Sequence, residues 1–189
     1  MGAEASEQRH VKGLNRRGVV AVLRVWARAQ GAPPGGWPPS LAGFMGPERV
    51  MATSWYPLPV FLDALDLWHR VVMDGSDAAA IRMGELGARQ NANVHAAAIR
   101  PTAHESLAAF PRAWRRNFDF GELVVDATAE GAQVAFRGYD DIGPVHGLLH
   151  VGWFKALVEL SGAQGAKAEP LTRPWIDGEP LRIALTFRE

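Results

Sequence analysis

The side chains best suited to chemistry in this chain are two histidines four positions apart. His146 and His150 lie in a segment of helical periodicity, where this spacing places both imidazoles on one face and could bind zinc or another metal. A zinc-protease motif would need a glutamate directly after the first histidine, and Gly147 stands there instead. Trp153 and Leu157 continue the same stripe, which favours a buried face with hydrogen-bonded histidines. We therefore predict no metal, with His146 and His150 as candidate ligands if one binds.

A second polar cluster, GYDDIGP at residues 138–144, contains the adjacent carboxylates Asp140 and Asp141. Two carboxylates could act as acid and base, but adjacent side chains diverge in direction. An aspartate before a helix more simply accepts hydrogen bonds from the free N–H groups of the first turn. We expect a cap, or alternatively an anchor for an arginine.

A third feature is a helix face of unusually small residues, Gly84, Gly87 and Ala88. Such a face lets another helix or a ligand approach the backbone, which must offset about 1 kcal/mol of lost helix propensity per glycine. Asn91 and His95 follow on the same predicted helix, four positions apart. This polar pair could bind a ligand or tie two helices together across a dimer.

The stretch TSWYPLP, residues 53–59, sets Trp55 and Tyr56 at the entrance of a predicted helix. Pro57 suits the first helical turn, where a missing N–H is not needed. If Tyr56 is the cap, Trp55 can pack on Val60 and fix the angle at which the chain enters the helix. The alternative is that both aromatics form the wall of a pocket.

The composition excludes several classes of function. Lys+Arg equals Asp+Glu at 20 each, so no net charge attracts nucleic acid or an anionic membrane. The stretch RAWRRN, residues 112–117, is expected to be a solvated helix face with Trp114 turned inward. Cysteine is absent, which removes disulfides and thiolate chemistry. A start without an apolar core and the lack of a bilayer-length run predict a cytoplasmic protein without a membrane span.

Hydrophobic periodicity predicts helices first and strands later. The first helix buries Val19 and Leu23 and turns its arginines to solvent, and Pro101 ends the third. The predicted helices cover residues 14–30, 57–72, 76–100, 102–117 and 143–161, and the two hairpins cover 122–139 and 166–189.

This order predicts an α+β fold, with N-terminal helices followed by a hairpin, a helix and a hairpin. The two hairpins form one antiparallel sheet packed on the helices. At 189 residues we expect a disordered tail over residues 1–10 and a single ligand-binding-like domain over residues 11–189.

Four segments carry a resemblance over residues 11–189: VKG, SWYPL, the Gly and Asn residues of ELGARQNAN, and VGWFKALVELSGA. Together they resemble a family of unknown function found mainly in myxobacteria. That family is distantly similar to the superfamily of 4-vinyl-reductase-type ligand-binding domains, haem nitric-oxide-binding domains and TRAPP vesicle-tethering subunits. The resemblance implies an apolar cavity between helices and sheet, pairing through helices, and a sensor or scaffold role.

The chain also departs from that superfamily. Vinyl-reductase-type domains commonly carry cysteines near the last hairpin, and this chain has none. The Tyr-x-Ser-x-Arg motif that grips haem propionates does not occur either. We therefore expect no cofactor and no gas-sensing role.

These observations lead to three hypotheses. The first is a non-enzymatic homodimeric sensor or scaffold, active in bacterial signalling or regulation, with an apolar pocket for a small hydrophobic or aromatic molecule. The second is a protein-interaction module with a filled core and no ligand, and the least favoured is an enzyme using His146, His150 and Asp140 or Asp141. The expected pocket residues are Trp55, Tyr56, Asn91, His95, Trp114 and Trp153.

Overall fold

Helices and strands follow the predicted order in the computed structural model, which describes residues 8–42, 50–93, 96, 98–128 and 130–189. The helices are α1 (Gly13–Gln30), α2 (Pro39–Ala42), α3 (Leu58–Val71), α4 (Asp77–Gln90), α5 (Ala103–Asn117), α6 (Pro144–Leu160) and α7 (Pro174–Asp177). The strands are β1 (His10–Lys12), β2 (Trp55–Pro57), β3 (Glu122–Thr128), β4 (Gly131–Arg137), β5 (Gln164–Thr172) and β6 (Arg182–Arg188). The predicted α+β class is confirmed.

The four-stranded antiparallel sheet has the order β3-β4-β6-β5 and joins the two predicted hairpins along β4 and β6. Its buried face packs on the helices, with α6 beside β5 and α5 beside β3, while α4 packs on α6. Ile183 and Leu185 are buried and alternate with exposed Arg182 and Thr186, as expected for a sheet with one wet face. The predicted turn near Gly178 contains the short helix α7, and Gly178 takes the left-handed conformation that ends it.

Two predicted helix starts are confirmed by their caps. The Ser76 hydroxyl accepts a hydrogen bond from the backbone N–H of Ala79 at 3.1 Å. The Thr102 hydroxyl accepts from the N–H of Glu105 at 3.2 Å. Each hydroxyl satisfies one N–H that the first helical turn leaves without a partner.

Helix α4 ends ten residues earlier than the sequence predicts, at Gln90 rather than at residue 100. Asn91 caps it, because its side-chain Nδ2 donates to the carbonyl oxygen of Gly87 at 2.9 Å. Residues 91–93 form turns, so Asn91 lies after the last residue of the helix. His95 itself lies outside the described residues.

The entrance of α3 is part of a small sheet that the sequence did not predict. Strands β1 and β2 pair antiparallel, with Lys12 opposite Trp55. Strand β1 begins at His10, the last residue of the tail that the sequence predicted to be disordered. Pro57, not Tyr56, is the cap of α3, and the predicted staple of Trp55 before a Tyr56 cap is wrong. The residue before a proline favours an extended backbone, which suits Tyr56 to a strand.

Helices α4 and α6 cross in contact at two glycines. A Cβ on Gly84 would lie 1.9 Å from the carbonyl oxygen of Leu149, and one on Gly152 would lie 1.9 Å from that of Ile81. The close approach expected at Gly84 is therefore made by α6 of the same chain, and Ala88 is buried beside it. Of the helices in the described part of the chain, none is long and apolar enough to cross a membrane.

Candidate functional site

Five helices, α1, α3, α4, α5 and α6, enclose a cavity of about 90 Å³. Its apolar walls are formed by Val19, Phe61, Leu65, Trp68, Met83, Phe110, Trp114, Phe118, Leu149 and Trp153. No strand residue of the described chain lines it, because α5 and α6 lie between the cavity and the sheet. The cavity implied by the family resemblance, between helices and sheet, is thus found among the helices instead.

Polar amides and glycines form the end of the cavity that reaches solvent. They are Asn15, Gly18, Gly87, Gln90, Asn91 and Asn117, all exposed or partly exposed. The Nδ2 atoms of Asn91 and Asn117 donate to backbone carbonyls one turn earlier in their own helices. A Cβ at Gly18 or Gly87 would have no neighbour within 4 Å, so these two glycines widen the mouth rather than permit a helix contact.

The inner end of the cavity holds a hydrogen-bonded chain of three buried side chains. The Tyr139 hydroxyl lies 2.8 Å from Nδ1 of His146. The Nε2 atoms of His146 and His150 lie 3.1 Å apart, and both histidines line the cavity. Aromatic rings surround them: Phe61 lies 5.6 Å from His146, and Phe136 lies 5.0 Å from His150, between ring centroids.

Burial keeps the three hydrogen-bonded side chains, Tyr139, His146 and His150, uncharged. Desolvation lowers the pKa of His146 to about 3 and, together with the neighbouring His146, lowers the pKa of His150 well below its ordinary value. Burial raises the pKa of Tyr139. At neutral pH the site therefore presents a phenol and two neutral imidazoles. Within the described ranges, no group of three His, Cys, Asp or Glu side chains is placed to hold a metal ion.

The aspartates of residues 138–144 do not cap α6. Its cap is Gly143, without a side-chain hydrogen bond. Asp141 instead pairs with Arg9 through two hydrogen bonds, one of them 2.6 Å between Nη1 and Oδ1, so the alternative of an arginine anchor is correct. Arg9 also lies 5.3 Å from the ring centroid of Tyr139, which ties the N-terminal segment to the hydrogen-bonded chain. Asp140 is exposed.

The structure brings together only part of the predicted site. Asn91, Trp114 and Trp153 line the cavity. His146 and His150, which the sequence singled out as possible metal ligands, line it too. Trp55 and Tyr56 do not line it: Trp55 is exposed under the Lys12 ammonium, and the Tyr56 hydroxyl accepts from the backbone N–H of Met51.

Sequence reasoning missed the contribution of α1. Asn15 lies one helical turn before Val19, so a polar residue interrupts the apolar face of α1 at the mouth of the cavity. That interruption is a signal that the sequence alone could have given. Tyr139 carried no comparable signal, because only the folded hairpin brings it to His146.

No family model matches this chain, and no curated protein matches it either.

Proposed function

We propose that this protein is a non-enzymatic binding domain that takes a small, largely apolar aromatic molecule into the cavity between its helices. The observation that carries the proposal is an aromatic-walled cavity whose polar groups are neutral amides and neutral imidazoles. Trp68, Trp114 and Trp153 line it, and aromatic rings pack favourably on a planar molecule. Apolar walls with a few placed polar groups are the usual composition of small-molecule sites.

The shape of the cavity separates the two leading hypotheses. It reaches solvent at its polar end and continues inward between aromatic side chains. A protein-interaction module with a filled core would have no such space among its helices. The cavity therefore favours the ligand-binding hypothesis over the module.

A bound molecule would also connect different parts of the fold, as a sensor requires. It would contact α1 and α3 on one side and α4, α5 and α6 on the other. Helices α4 and α6 are fixed to each other by their glycine crossing, so occupancy would chiefly fix α1 and α3 against them. The family that this chain resembles is distantly similar to the superfamily that includes 4-vinyl-reductase-type ligand-binding domains, and a role in bacterial regulation would agree with that similarity.

Homodimerisation remains part of this proposal. The small-residue face that suggested a dimer is not free: α6 covers it at Gly84, and Ala88 is buried. A second copy would therefore have to bind elsewhere. Light scattering coupled to size-exclusion chromatography would measure the mass directly.

Native mass spectrometry of the freshly purified protein, followed by denaturing mass spectrometry of what it carries, tests the proposed function. We expect a small aromatic molecule at stoichiometric level, lost in the variant Gly87→Leu. The backbone accepts a side chain there, and a leucine would fill the mouth. Ala78→Leu, on an exposed position of the same helix, is the matched control and should retain the molecule.

A protein that carries no molecule would be tested further with toluene as a probe. If toluene raises the melting temperature of the wild type and not of Gly87→Leu, the cavity binds ligands. If it raises neither, the cavity is not a binding site and the interaction module becomes the better hypothesis.

A further inference from the structure

The protons shared among the hydrogen-bonded side chains Tyr139, His146 and His150 have one consistent arrangement. Tyr139 is 1% exposed, and its hydroxyl makes one hydrogen bond to a described residue, with Nδ1 of His146. A buried hydroxyl hydrogen needs an acceptor, so the phenol donates and Nδ1 of His146 accepts. His146 is neutral and must then carry its proton on Nε2.

This arrangement fixes the tautomer of His150 as well. Nε2 of His146 donates to Nε2 of His150 across 3.1 Å, which leaves the proton of the neutral His150 on Nδ1. No hydrogen bond joins that Nδ1 to any residue the structure describes, and the rings of Trp114, Phe118 and Phe136 around it offer no strong acceptor. Because His150 lines the cavity, its free N–H is available to a molecule there.

A second N–H donor, near the mouth of the cavity, also has no acceptor among the described residues. Nδ2 of Asn15 is buried and has no hydrogen-bond partner among the described residues. A buried N–H without an acceptor costs free energy, and an acceptor on the ligand would remove that cost. Two unpartnered donors thus border one aromatic-walled space.

We infer that the ligand is an uncharged aromatic compound with a hydrogen-bond acceptor, such as a ketone carbonyl, that accepts from Nδ1 of His150. This rests on the proposed function and specifies the class of its ligand. A carboxylate or an ammonium group does not fit, because no Asp, Glu, Lys or Arg of the described residues lines the cavity. Burying an unpaired charge among these rings would be strongly unfavourable.

Isothermal titration of the full chain with three probes tests the inference. Acetophenone and α-methylstyrene have the same shape and differ in whether an oxygen or a CH₂ group can meet the His150 N–H. We expect acetophenone to bind about tenfold more tightly than α-methylstyrene, because a tenfold ratio of affinities corresponds to the net free energy of about one hydrogen bond. Benzoate should not bind measurably. Equal affinities, or tight binding of benzoate, would overturn the inference.

The variant His150→Phe keeps a ring and removes the donor. It should bind α-methylstyrene at least as well as the wild type and lose the preference for acetophenone. A preference that survives this change would assign the acceptor contact to another group and refute the role of His150.

A spectroscopic measurement keeps the inference testable without that variant. The ¹⁵N shifts of the histidine rings report which nitrogen carries the proton, and we expect Nε2–H for His146 and Nδ1–H for His150. In Tyr139→Phe the donor that sets this order is gone, so the tautomers should change and the preference for acetophenone should fall. An Nε2–H tautomer for His150 in the wild type would contradict the assignment.

The titration distinguishes failure of the proposed function from failure of the acceptor requirement. If neither acetophenone nor α-methylstyrene binds, the cavity is not a ligand site, and both the proposed function and the inference fail. If both bind equally, the proposed function stands and only the acceptor requirement is wrong.

Discussion

Arg16 illustrates how a single residue can depart from the pattern of its helix. The sequence predicted that the arginines of α1 face solvent, yet Arg16 is 0% exposed. Its guanidinium carbon lies 4.7 Å from the ring centroid of Tyr56. Burial lowers the pKa of Arg16 to about 10, and the neighbouring Tyr56 acts in the opposite direction. Tyr56 thus serves the fold at the entrance of α3.

Two substitutions of Tyr56 separate its ring from its hydroxyl. Tyr56→Phe removes the hydrogen bond accepted from Met51 and should lower the free energy of unfolding by about 1 kcal/mol. Tyr56→Leu also removes the ring next to the buried cation, and we expect a total loss of about 3 kcal/mol. Urea denaturation measures both.

The same two substitutions of Tyr56 are then made in a protein that lacks the Arg16 guanidinium. In Arg16→Met, the difference between the phenylalanine and leucine variants should shrink, since an apolar side chain then occupies the site. An unchanged difference would show that the ring stabilises by packing alone.

At the scale of the elements, the two glycines of α4 predict opposite outcomes for the same substitution. Gly84→Ala should destabilise by about 3 kcal/mol, because its methyl group would meet a backbone carbonyl of α6 that cannot rotate away. Gly87→Ala should stabilise by about 0.5 to 1 kcal/mol, because nothing lies within 4 Å and alanine favours the helix.

Thermal unfolding of the two alanine variants checks this contrast, with Gly152→Ala as a second test of the crossing. Gly152 is packed against Ile81 as Gly84 is against Leu149, so it should resemble Gly84→Ala. A tolerated alanine at both Gly84 and Gly152 would mean that α4 and α6 are not in contact there.

The elements also show what sequence reasoning can and cannot provide. Helix starts at Ser76 and Thr102 were predictable, because a cap depends on residues three positions away. The end of α4 was not predictable. In the sequence Pro101 is a stronger stop signal than Asn91, but the Asn91 side chain caps the helix ten residues earlier. The β1–β2 pair joins residues more than forty positions apart, which no local pattern reports.

The candidate site shows the same division between local and distant information. The pair His146 and His150 follows from spacing on one helix, and its burial follows from the apolar stripe that continues to Trp153. Its hydrogen-bond order depends on Tyr139, which is seven residues from His146 but comes from outside the helix. The cavity itself needs five helices to meet, so its residues could be named only in part.

At the scale of the whole molecule, the buried histidines make folding depend on pH. Each is neutral in the folded protein with a pKa below the ordinary 6.5, whereas in the unfolded chain it titrates near that value. Below pH 6.5 the unfolded state therefore binds more protons, and stability rises with pH. His104 acts in the opposite sense: burial alone would lower its pKa, but hydrogen bonds to Glu189 and to the Gly131 carbonyl raise it.

We therefore expect the free energy of unfolding to fall as the pH drops from 6.5 towards 4.5. Two histidines that gain protons on unfolding give a slope of up to about 2.7 kcal/mol per pH unit there. The raised pKa of His104 acts above pH 6.5, where stability should decline slightly as the pH rises and this histidine loses its proton. His150→Phe should about halve the slope below pH 6.5, whereas His104→Gln should leave that slope nearly unchanged and remove the decline above it. Urea titrations at half-unit steps of pH measure all three proteins, and a slope unaffected by His150→Phe would show that His150 is not buried as a neutral imidazole.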